Sequence, residues 1–321
     1  MNRILVIKLG ALGDVVMSTP LIDAIQKFHQ NAELHLLTTP AFAPLFDAWP
    51  NLKVASFPRR GWRTMFKLVR WLRQAEFDRI YDLQGNDRTA IWCALSGSPE
   101  RVGNHNRYPN THHPPNAWHG QCHIFDRMVA VLASAGISEV DRTPMLPRGK
   151  DEQHCVEHWL DSNHLGDDRF AILHAGASIA RRDKIWPHFA TLAERIADSG
   201  MRIVWIGGEP DRERNAKLAA TTGIDATGEF SVTEIAALGE HARFAVTNDS
   251  GPMHVLSASR IPVFGLFGPS DWHRNHALGQ VDRVIACVEY DPADNSRASA
   301  DCLASIPADL VHARLVAENL L

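Results

Sequence analysis

Cysteine is scarce and scattered. The 321-residue chain has five, at positions 93, 122, 155, 287 and 302, with no C-x-x-C pair. An odd count without that pair argues against a disulfide scaffold, a zinc ribbon and a thioredoxin-type site. The thiols are expected to be reduced and mostly buried. No apolar run approaches the ~18 residues that a membrane-spanning helix needs. Lys8 ends the first apolar stretch too early for a signal peptide, so a cytoplasmic protein is expected. G-x-G-x-x-G and a Walker lysine are both missing, which argues against nicotinamide binding and P-loop NTPase chemistry. There is no internal repeat and no low-complexity segment. A net charge of −4 is far from that of a general nucleic-acid binder.

What is present is an ordinary globular composition, 45% hydrophobic and 22% charged, at a length that suits two domains. The charge is uneven. Residues 1–150 hold 18 Lys and Arg against 12 Asp and Glu, a balance of +6; residues 151–321 hold 15 against 25, a balance of −10. The first half could attract an anionic partner that the second would repel. Strands are expected at 4–7, 34–37 and 79–83, with helices over 15–28, 62–75 and 124–135. Residues 103–122, rich in Asn, His and Pro, read as a loop. The prolines and glycine of 141–151 suggest the domain junction. Beyond it, strands at 170–174, 202–206, 244–247 and 263–267 alternate with helices over 187–199, 210–221, 232–241 and 251–259. A last helix covers 307–320. Such alternation implies parallel βαβ units, hence an α/β fold of two doubly wound domains facing a cleft.

Four turns follow strands. Gly10-Ala-Leu-Gly13-Asp14 lets the backbone turn sharply into a helix. Asp14 is either an N-cap or a carboxylate placed to act as a general base. His174-Ala-Gly-Ala-Ser178 leads through Arg181 and Lys184 to Trp186-Pro187. Its small residues and its lysine suit a diphosphate, although a solvated basic loop explains them too. Thr247-Asn-Asp249-Ser250-Gly251-Pro-Met-His254 again joins strand to helix. Capping explains one of its polar residues but not the whole set. Phe267-Gly-Pro-Ser270-Asp271 closes the series on the same sheet edge. A nucleotide diphosphate along that rim accounts for the three later turns together.

Six cations, Arg59, Arg60, Arg63, Lys67, Arg70 and Arg73, fall in a stretch without an acid, interleaved with Trp62, Phe66 and Trp71. They form either a solvated helix face or a patch for phosphorylated acceptors or anionic lipid. The loop holding His105, His112, His113, His119, Cys122 and His123 lacks metal-ligand spacing, so no metal site is expected.

The four turn motifs, in this order, resemble glycosyltransferase family 9, the lipopolysaccharide heptosyltransferases, over residues 3–317. The resemblance implies a GT-B fold: an acceptor domain over 1–150, a donor domain over 151–306, and a last helix, 307–321, packing back on the first. It implies inverting, metal-independent sugar transfer, most simply of heptose from ADP-heptose to an anionic inner-core glycolipid at the inner membrane's cytoplasmic face. Asp14 would be the general base. Ser178, Lys184, Asp249, Ser250, Gly251 and His254 would bind the donor, and Gly13, Arg59, Arg60, Arg63 and Lys67 the acceptor. His123 also matches a common family position. Relatives often carry a cysteine cluster where this chain has only Cys287 and Cys302. Two other readings stay open: another nucleotide sugar with a protein or small-glycan acceptor, and a non-catalytic nucleotide-sugar-binding protein.

Overall fold

The computed structural model describes residues 2–58, 61–115, 122–166, 170–268, 270–287 and 300–321. The chain divides into two compact units, Met1–Pro147 and Arg148–Leu321.

The first unit is a five-stranded parallel sheet in the order β3-β2-β1-β4-β5. Its strands are β1 (Arg3–Ile7), β2 (Glu33–Thr38), β3 (Leu52–Ser56), β4 (Arg79–Asp82) and β5 (Glu100–Val102). Ile4–Ile7 are buried on both faces, as a central parallel strand requires. The stretch expected as one helix over 15–28 is two, α1 (Leu12–Met17) and α2 (Thr19–Phe28). The hydroxyls of Ser18 and Thr19 turn back onto the carbonyls of Val15 and Val16 at that break. Leu68 and Leu72 bury one face of α3 (Trp62–Ala75) in a core with Leu5, Ile7 and Trp92. β3, β5 and α4 (Asp87–Ser96) were not legible from periodicity. β3 is half exposed and β5 very short. α4 announces itself instead by a capping box between Asn86 and Thr89. The helix expected over 124–135 is α5 (Ile124–Ala133), with Gly136 just beyond it at φ +90°.

The second unit is a six-stranded parallel sheet, β11-β10-β9-β6-β7-β8. β6 (Phe170–His174), β9 (Phe244–Asn248) and β10 (Val263–Phe267) are wholly buried; β7 (Arg202–Trp205), β8 (Ile224–Asp225) and β11 (Val284–Ala286) complete it. Helices α6 (Lys150–Ser162), α7 (Phe189–Asp198), α8 (Arg212–Thr221), α9 (Val232–Glu240), α10 (Gly251–Ser257), α11 (Trp272–Asn275) and α12 (Ala308–Ala317) surround the sheet.

α12 buries Val311 and Leu315 in the second unit's core beside Trp186 and Phe189 of the α7 region. One expectation is corrected here, that the cysteines are reduced, mostly buried thiols. Cys287 and Cys302 are instead joined as a disulfide, their Cα atoms 5.8 Å apart. Of the remaining three, Cys93 is buried, Cys122 half-buried and Cys155 exposed. The pairing is tertiary: Cys287, directly after β11, donates its backbone N–H to the Phe267 carbonyl, and a 3₁₀ turn brings Cys302 in beside buried Leu303.

Candidate functional sites

In both sheets the strand order reverses once, between β1 and β4 and between β6 and β9. Open parallel sheets bind ligands at the carboxyl ends of strands at such a point. The motifs fall there.

In the first unit, α1, reached through the turn after β1, carries Gly13 and Asp14 near its start, and the turn after β4 carries Gln84 and Gly85. The N-cap of α1 is Ala11, so Asp14 lies inside the first turn and is not the cap. It lines a cavity of about 140 Å³ with Lys8, Asp82, Gln84 and Arg127. Asp82 is buried and fully engaged: it accepts from the backbone N–H of Gln84 and Gly85 and from the Thr89 hydroxyl. Burial pushes its carboxyl up from the ordinary range. Lys8 is buried as well, donating to the Leu83 carbonyl at 3.2 Å and facing the Met128 sulfur. Burial pulls its ammonium down, and the charges of Asp14 and Asp82 oppose that pull. Sequence reading took Lys8 only as the end of an apolar strand; the polar residue closing a buried strand was the available signal.

In the second unit the turns after β6, β9 and β10 converge. Lys184 ends a 3₁₀ segment, Ile179–Lys184, rather than standing directly before a helix. Its Nζ lies 2.5 Å from Asp249 Oδ2, and the Ser270 hydroxyl donates to the same oxygen at 2.6 Å. Asn248 ties the turns together. Its amide accepts from the Trp186 N–H and donates to the Gly176 carbonyl. Ser250 is the N-cap residue of α10 by position, yet its side chain makes no cap bond. Its oxygen sits 3.1 Å from His174 Nδ1 and 3.1 Å from the Asn248 carbonyl. The capping account of Asp249 and Ser250 therefore fails, because both side chains are committed to neighbouring turns. His254 is buried on α10, one turn on. Ser178 flanks the 3₁₀ segment and is exposed. Gly176 must be glycine: a Cβ there would lie 2.3 Å from the Asp211 carboxylate. Trp186 is core packing, its indole N–H donated to Ile306. Ser270 and Asn248 belong to the turn motifs of the sequence without individual roles there; Asp211 lies outside those motifs.

Of the basic stretch, Arg59 and Arg60 lie outside the described residues. Arg63, Lys67 and Arg70 are exposed on α3, opposite its buried stripe. Trp62 and Phe66 are 77% and 68% exposed, and Ile91 and Leu95 of α4 are exposed too. In the His-rich loop, His112 bridges to Val102; His119 is outside the described residues, and His123 caps α5 through its ring. Among the described residues no group of three or more His, Cys, Asp or Glu is placed to hold a metal ion, and no helix is long and apolar enough to cross a membrane.

The sequence model of glycosyltransferase family 9 (heptosyltransferase) matches residues 65–302. Lipopolysaccharide heptosyltransferase 2 of Escherichia coli (strain K12) is 26% identical over 310 residues, which cover 89% of this chain and 88% of that protein. Among solved structures, a family 9 glycosyl transferase from Veillonella parvula superposes with a TM-score of 0.83 at 22% identity, covering 99% of this chain and 97% of that one. E. coli heptosyltransferase WaaC, solved with ADP, gives a TM-score of 0.74 at 21% identity, covering 99% and 100%. A more distant likeness, TM-score 0.57 at 15% identity and covering 99% and 78%, is to TibC of enterotoxigenic E. coli, an iron-containing dodecameric glycosyltransferase.

Proposed function

Given that the chain belongs to glycosyltransferase family 9, and so is a heptosyltransferase of the GT-B fold class, we propose that it moves heptose from ADP-heptose to an anionic lipopolysaccharide inner-core acceptor, with inversion and without a metal. The observation that carries this reading is the convergence of Lys184, Asp249, Ser250 and Ser270 at the reversal of the second sheet. A lysine, a hydroxyl and the Gly251 backbone N–H are the groups a diphosphate needs. His254 and Ser178 flank them. Asp249, already fixed by two partners, is suited to accept hydroxyls of the donor sugar.

The chemistry balances without a cofactor. The Asp14 carboxylate takes the proton of the acceptor hydroxyl. That oxygen bonds to the anomeric carbon as the bond to the diphosphate breaks on the opposite face. ADP departs with the bonding pair, and Lys184 and the Ser250 hydroxyl stabilise its growing charge. An ammonium in this role replaces the divalent ion that many sugar transferases use.

Gly13, Arg63 and Lys67, with Arg59 and Arg60 before them, are the proposed acceptor contacts. The exposed face of α3, basic with Trp62 and Phe66 protruding, suits peripheral attachment at the cytoplasmic face of the inner membrane.

The test is a thermal-shift series with ADP, UDP, GDP and CDP, each with and without magnesium. A selective shift with ADP, unchanged by magnesium, is expected. Preference for another base would replace the ADP-heptose reading with another nucleotide sugar. No shift with any nucleotide would favour a non-catalytic protein.

A further inference from the structure

His174 ends β6 and is almost wholly buried. Its two ring nitrogens meet different partners. Nδ1 faces the Ser250 oxygen at 3.1 Å, and Nε2 faces Asp211 Oδ2 at 3.9 Å. The second distance is too long for a hydrogen bond. Asp211 has other partners: Arg214 donates to its Oδ1 at 3.1 Å and the Gly208 N–H to its Oδ2 at 3.2 Å. Burial pushes the imidazole down to about 4, against the raising field of Asp211, so the ring is neutral at pH 7 and carries one N–H.

The contacts of the Ser250 oxygen point to where that hydrogen sits. The Ser250 oxygen is also 3.1 Å from the Asn248 carbonyl, which can only accept. The serine has one proton. If it went to Nδ1, the contact with the carbonyl would have no hydrogen in it. If Nδ1 carries the hydrogen, both contacts are bonds: His174 donates to Ser250, and Ser250 donates to Asn248.

We propose that His174, as the Nδ1–H tautomer, is a positioning residue that anchors the Ser250 oxygen so that its hydroxyl proton can turn from the Asn248 carbonyl to a phosphate oxygen of the donor. The rotation costs one hydrogen bond to a neutral carbonyl and forms one to a charged oxygen, which is the stronger kind. The oxygen itself does not move, because the imidazole holds it. This rests on the donor-site reading above, in which Ser250 meets the diphosphate.

The probe is ADP, titrated calorimetrically into the full chain. Ser250→Ala is expected to weaken ADP about 10-fold, the scale of a hydrogen bond to a charged group. His174→Ala is expected to weaken it by a similar factor, and the His174→Ala/Ser250→Ala double variant no further than Ser250→Ala alone. His174→Asn, whose amide can donate from near the Nδ1 position, is expected to recover most of the loss. In the wild-type protein, nitrogen-15 NMR of the imidazole should show a protonated Nδ1 and a bare Nε2, a readout that needs no variant to fold. An Nε2–H tautomer, independent multiplication of the two single effects, or unchanged ADP affinity in a folded His174→Ala would overturn the proposal. Unchanged affinity in Ser250→Ala would instead overturn the placement of Ser250 at the diphosphate, and the proposal with it.

Discussion

The Lys184 ammonium is bonded to Asp249, and the Ser270 hydroxyl shares the same carboxylate oxygen. The side chains of Lys184 and Asp249 are only 15% and 7% exposed. The cation that a diphosphate would need is thus held in place from three different turns before any ligand arrives. A fixed dipole or charge costs little reorganisation when the leaving group develops its own. The same arrangement makes the pair a structural commitment, since neither charge faces open water.

Replacing Lys184 by Met should therefore do two separable things. It leaves Asp249 buried without its cation, which destabilises by about 3–5 kcal/mol when a buried pair loses one partner. It also removes the diphosphate's cation, so ADP should no longer raise the melting temperature. Adding Asp249→Asn should restore much of the melting temperature but none of the ADP response. A Lys184→Met protein that ADP still stabilises as strongly as wild type would contradict the assignment.

Asp14 lines the first unit's cavity from inside the first turn of α1, outside the donor site's turns. Asp14→Ala should lower kcat by at least about 10²-fold, the usual scale for a placed general base. The ADP-induced thermal shift should persist. Near-normal turnover would remove Asp14 from the mechanism.

The exposed face of α3 predicts a lipid dependence. Co-sedimentation with vesicles should rise when phosphatidylglycerol is added to phosphatidylcholine. Reversing Arg63, Lys67 and Arg70 to Glu should weaken binding by about 10²-fold or more, at about 1 kcal/mol per basic residue near the surface. Trp62→Ala with Phe66→Ala should weaken it without changing its salt dependence. Binding that ignores lipid charge would refute the surface.

His174 gives a pH dependence with a definite sign. Its folded value, about 4, lies below the ordinary 6.5. The unfolded chain therefore binds a proton that the folded protein refuses between those values. Stability is full above about pH 6.5 and falls as pH drops toward 4, by up to about 3 kcal/mol from this group. Urea unfolding at pH 5 and pH 7 should show that loss in the wild type. A matching slope in His174→Asn would assign it to another group.

Much of this was legible in the sequence because its signals are local. Apolar runs such as 170–174 and 263–267 coincide with buried strands, since a central parallel strand is apolar on both faces. The turn motifs stood out because glycine and polar residues directly after a strand are costly unless a turn or ligand uses them. Elements without that contrast were missed: the short β5, half-exposed β3 and α4, whose only clear mark is its Asn86–Thr89 cap. Cys287 and Cys302 could not be paired from spacing, because a separation of 15 positions says nothing about where a 3₁₀ turn returns.

By itself the sequence determined the α/β class, the strand-turn-helix units and the residue types at each turn, all consequences of period and backbone preference over a few residues. Tertiary structure decided the rest. The order of strands places β1 beside β4 and β6 beside β9, and so makes two ligand edges out of separated turns. It also gave Asp249 a lysine, Ser250 a histidine and α12 a place in the second core. Those partners lie 65 and 76 residues apart for the two polar pairs. Contacts at that range depend on where whole elements pack, which no local pattern encodes.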